Sequence, residues 1–149
     1  MKFLNFMLTL TLAVAGSAMA DDVRYGSECG LTDLNGDESW VDIEERKTIT
    51  LWEETTDEQI HALPLLAKQQ LIIGANQLQD HRFGSTVEAV RSLMAASSGA
   101  EVHVSSFKVN GRKFTIVNHY PGDNPYGAIF KFGTRKLVAV TSDSDVICL

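Results

Sequence analysis

The chain has 149 residues, 44% of them hydrophobic and 21% charged, and its formal net charge is −6. That length suits a single domain with a sizeable core, with no internal repeat or second domain. The acidic balance disfavours nucleic acid as a partner, which needs a basic face.

Residues 1–20 read as a secretory signal peptide. Lys2 supplies the charged start, an apolar run follows from Phe3 to Ala15, and Ala18-Met19-Ala20 gives an Ala-x-Ala cleavage site. The apolar run is shorter than the ~20 residues a spanning helix needs. No Cys follows the cleavage site, which argues against a lipoprotein. Residues 21–149 are therefore expected as one exported domain, periplasmic or secreted, with no stable membrane insertion after cleavage.

Two cysteines, Cys29 and Cys148, lie near opposite ends of that domain. An even count in an exported chain predicts one disulfide tying the ends together. Charge is unevenly spread. Residues 21–58 hold thirteen acids and three bases, whereas residues 59–149 hold six acids and nine bases. The acidic flank serves solubility, or else docks a basic protein or cations.

Within that flank, Asp33, Asn35, Asp37 and Glu44 stand at positions 1, 3, 5 and 12 of a loop. The spacing resembles an EF-hand calcium loop over these twelve residues alone. Position 6, which takes Gly in that motif, is Glu38, and position 8 is Trp40. The competing reading is an Asp/Asn/Gly turn whose side chains cap their own backbone. From Trp40 to Trp52 the apolar residues Val41, Ile43, Ile49 and Leu51 fall on odd positions, which is strand periodicity. This predicts one long strand or a hairpin at a sheet edge, with a helix over residues 38–47 as the competitor.

Thr56-Asp57-Glu58-Gln59 is a capping box that opens a helix, and Pro64 ends it near Leu63. A second helix is predicted from Pro64 to Gln79. Its stripe of Ala67, Leu71, Ala75 and Leu78 is widened by Leu66, Ile72 and Ile73, so it suits burial against a sheet or a partner surface. Ser85-Thr86-Val87-Glu88 opens a third helix, closed by Gly99 after Ser97-Ser98.

From Glu101 to Leu149 the chain reads as four short strands. Asn110-Gly111 between Phe107-Lys108-Val109 and Phe114-Thr115-Ile116-Val117 is a strong hairpin signal. Counting outward, Val109 opposes Arg112 and His103 opposes Asn118. Apolar phase changes at Ser105-Ser106, which suggests a β-bulge there. The loop Pro121 to Gly127 precedes a strand from Ala128 to Phe132, and Gly133-Thr134-Arg135 turns into Lys136–Val140. Val146–Leu149 extends that strand past a bulge or turn. The fold class is α+β: two or three N-terminal or central helices packed on a C-terminal four-stranded antiparallel meander, with an N-terminal strand as an optional addition. In its order of elements the chain resembles many small exported α+β modules, cystatin-like inhibitor folds among them. That likeness of plan does not fix function.

No Gly-x-Ser-x-Gly elbow, His-Glu-x-x-His, Walker-type loop or Gly-x-Gly-x-x-Gly occurs. The histidines at 61, 81, 103 and 119 share no metal-ligand spacing. The loop Asn118 to Gly127 gathers His119, Tyr120, Asp123 and Tyr126, and aromatic-rich loops on rigid scaffolds are where binding concentrates. The expected function is therefore a non-catalytic exported module that binds a protein or cell-envelope component, without a cofactor. Two alternatives stay open. One is a small hydrolase or metal-dependent enzyme using His103 and His119; the other is a calcium-stabilised structural protein.

Overall fold

A computed structural model of the chain describes Cys29, Leu31 and residues 46–96, 101–109, 111–119, 126–142 and 145–149. The signal-like segment, the calcium-like loop (Asp33, Asn35, Asp37 and Glu44) and the run from Trp40 to Glu45 lie outside these residues.

The described residues form a mixed α+β structure. The strands are β1 (Arg46–Trp52), β2 (Glu101–Val109), β3 (Arg112–His119), β4 (Tyr126–Lys131), β5 (Leu137–Ser142) and β6 (Asp145–Cys148). They pair antiparallel in one sheet whose spatial order is the chain order, β1 to β6. The expected meander of four strands is thus a sheet of six. β1 joins one edge by pairing with β2, Arg46 opposite Phe107 and Trp52 opposite Glu101. At the other edge the chain turns after Ser142, so residues 145–148 run back along β5 as a separate strand.

Three helices fill the connection between β1 and β2: α1 (Asp57–His61), α2 (Leu65–Gln79) and α3 (Thr86–Ala95). Their starts follow from side-chain chemistry. Thr56 Oγ1 accepts from the Gln59 amide at 3.1 Å, and Gln59 Oε1 accepts from the Thr56 amide at 2.9 Å. This reciprocal box satisfies two amides that no helical carbonyl can reach. Pro64 caps α2 rather than standing as its first residue. Ser85 Oγ accepts from the Glu88 amide at 3.2 Å, while the Glu88 carboxylate reaches past the cap to the Gly84 amide. α3 ends at Ala95, with Ala96 still right-handed at the C-cap. The proposed closing Gly99 lies outside the described residues.

The helices cover one face of the sheet. Ile60, Leu71, Ala75, Val90 and Leu93 pack there against Leu51, Val102, Val104, Val117 and Phe130. α2 comes in close because Gly74 replaces a side chain with space. A Cβ there would stand 3.3 Å from the Cβ atoms of both Ala128 and Val117. Gln70, 2% exposed, donates from Nε2 to the Thr134 carbonyl at 2.8 Å and ties α2 to the β4–β5 turn.

The opposite face carries a second core of Leu31, Phe107, Phe114, Ile116, Ile129 and Ala139. This corrects the reading of β2. Its pairing with β3 runs without interruption from Val102–His119 to Val109–Arg112, so there is no bulge at Ser105-Ser106. The apolar phase changes because the covered face changes. Val102 and Val104 point to the helices, whereas Phe107 and Val109 point to the second core. An irregularity does occur elsewhere: between β4 and β5 the register shifts after Ile129. Cys29 and Cys148 are disulfide-bonded, with Cα atoms 5.6 Å apart across 119 residues of sequence. No helix among the described residues is long and apolar enough to cross a membrane.

Candidate functional site

The candidate loop leaves β3 at His119 and re-enters the sheet at Tyr126, and these two residues stand directly opposite each other. Both ends of the loop are therefore fixed on adjacent central strands. Tyr120 and Asp123 lie outside the described residues.

His119 belongs to the core rather than to the surface. It is 4% exposed and sits on the helix-covered face beside Val102. The Leu93 backbone of α3 lies beside its ring, and Nδ1 has no hydrogen-bond partner. Burial pushes the imidazole below its ordinary value of 6.5, and the nearby Leu93 backbone opposes that shift. The Tyr126 ring lies on the same face, half-buried, its centroid 6.2 Å from that of His119. The pair acts as a clamp at the loop base.

The next rung, Asn118 opposite Gly127, points to the other face. A Cβ on Gly127 would come within 2.7 Å of Ile116 Cδ1 and 2.9 Å of Thr141 Oγ1. Gly127 is thus required by packing, not by φ. Thr141 Oγ1 beside it is buried without a partner. Sequence reasoning had no signal for this small polar spot, because it arises only where β3, β4 and β5 meet.

His103 and Asn118 are opposed as counted from the Asn110-Gly111 turn. That same register separates the two histidines. His103 shares the Asn118 face, while His119 is on the helix face, so the sheet lies between them. They do not converge on one metal or substrate atom. His103 Nε2 instead pairs with Glu101 Oε1 at 2.8 Å. No group of three or more His, Cys, Asp or Glu side chains is gathered to hold a metal among the described residues.

At the opposite end of the sheet, near the β2–β3 and β4–β5 turns, an open cleft of about 580 Å³ is bordered by Arg112, Lys113, Lys131 and Lys136. It runs beside the Cys29–Cys148 disulfide and the last residue, Leu149. Sequence-wide charge concealed this basic spot, since the chain as a whole is acidic. No known protein family, curated protein or solved structure matches the chain.

Proposed function

We propose that the protein is an exported, non-catalytic binding module, acting in the periplasm or outside the cell after loss of residues 1–20. It engages a protein or cell-envelope component through the Asn118–Gly127 loop and the strand ends beside it. The observation that carries this reading is the loop base. His119 and Tyr126 face each other on neighbouring strands, and His119 is held by burial beneath the helices. Fixing both ends of a loop on a packed sheet lowers the ordering cost of recognition. The disulfide supports export, because such bonds persist in oxidising compartments.

The test is capture of partners from envelope extract by the tagged exported chain. Wild type is expected to retain a partner that the Tyr120→Ala/Tyr126→Ala variant loses. An identical set of captured proteins for both, with equal yields and melting curves, would remove the loop from the proposal.

A further inference from the structure

We propose that the basic end of the sheet docks the protein peripherally on a membrane surface that carries anionic phosphate headgroups. The site is distinct from the Asn118–Gly127 loop, which lies at the other end of the same strands.

Six of the thirteen lysines and arginines in the chain flank two turns: Lys108, Arg112 and Lys113 around the first, Lys131, Arg135 and Lys136 around the second. Phe114 pairs with Lys131, so both turns emerge at one end. Neither residues 106–115 nor residues 130–138 contain Asp or Glu. Arg112, Lys131, Arg135 and Lys136 make no ion pair with any described residue. Among the described residues that line the cleft, none is Asp or Glu.

An apolar anchor sits among these cations. Phe132, on the β4–β5 turn, is 45% exposed, and Lys113 Nζ lies 4.6 Å from its ring centroid. An aromatic ring at a turn, ringed by lysine and arginine, matches the water–bilayer boundary. There the ring enters the headgroup layer while the cations meet phosphates. A small free anion would favour an enclosed site, and this cleft is open.

Glu53, Glu54, Asp57 and Glu58 follow β1 at the Glu101 end of the sheet, remote from these turns. With a screening length of ~10 Å at 0.1 M salt, a surface touching the basic end is shielded from these four acids.

The experiment is sedimentation of the disulfide-bonded exported chain with vesicles. One set is phosphatidylcholine alone; the other contains equal parts phosphatidylcholine and phosphatidylglycerol. Wild type is expected to partition to the second set only, and to be released at ~1 M salt, where screening falls to ~3 Å. Lys131→Glu/Arg135→Glu/Lys136→Glu is expected to weaken partitioning roughly 100-fold. Phe132→Ser is expected to lower it severalfold while keeping the preference for phosphatidylglycerol. All four side chains are exposed, and unchanged melting temperatures establish that the fold is retained. Tyr120→Ala/Tyr126→Ala should partition as wild type, so failure of the loop reading leaves this result standing. Absent or lipid-independent partitioning, or a triple variant equal to wild type, overturns the proposal. So does binding of inorganic phosphate or polyphosphate, lost in the triple variant, without binding to vesicles.

Discussion

At His119 the physics of one ring sets how stability depends on pH. The unfolded chain takes up a proton near pH 6.5, whereas the folded chain resists protonation because its imidazole is buried. Below pH 6.5 the unfolded state therefore binds more protons, and stability falls as pH drops towards the lowered folded value. Its contribution is fully present above the unfolded value. Urea melts at pH 7.5 and pH 5 should show this loss, and His119→Gln should show less of it. Equal pH dependence in the two proteins would place the titration elsewhere. Glycines give a contrasting pair of predictions. Gly127→Ala drives a methyl into Ile116 and Thr141 and should cost about 1–3 kcal/mol. Gly74→Ala meets contacts of 3.3 Å but gains helix propensity of up to ~1 kcal/mol, so its net effect should be smaller. Thermal melts of the two variants decide the ranking.

Elements were legible where local chemistry fixes them. Thr56 and Ser85 announce α1 and α3 through caps that need only residues three positions on. Asn110-Gly111 announces the β2–β3 turn, and Gly111 has φ +78°. Replacing either cap, Thr56→Ala or Ser85→Ala, should cost about 1 kcal/mol in a urea melt, with m unchanged. What was not legible depends on faces and partners far along the chain. Val104 and Phe107 look out of phase because a strand carries no mark of which face is covered where. His119 looked like a surface binding residue for the same reason. Only the placement of the helices over this face of the sheet makes it a buried anchor. The histidine pair failed on parity alone, since residues one step apart on paired strands point to opposite faces. Arg91 shows another link that spacing could not reveal. Its guanidinium donates to the Thr55 carbonyl and pairs with Asp57 at 3.0 Å, joining α3 to the start of α1.

Over the whole molecule, the disulfide and the separation of charge dominate. Beside the bond, β5 and β6 contribute Ala139 and Val146 to the second core, and Leu31, two residues from Cys29, is fully buried there. Cys29→Ser/Cys148→Ser should lower unfolding stability by up to ~4–5 kcal/mol on the chain-entropy account. Guanidinium melts of the oxidised protein and this variant measure the difference. A shift under ~1 kcal/mol would mean that the second core already holds Leu31 in place without the bond. The 5.6 Å between the two bridged Cα atoms also has a use in protein engineering. It brings Cys148 back beside Cys29, so the 119-residue span between them is nearly a closed ring already. A short linker from Leu149 to Cys29, with new termini opened at Gly111, would give a circular permutant with every strand neighbour preserved. In that rearranged polypeptide β3 comes first and β2 last, and fusion partners would emerge from the lysine- and arginine-rich tip.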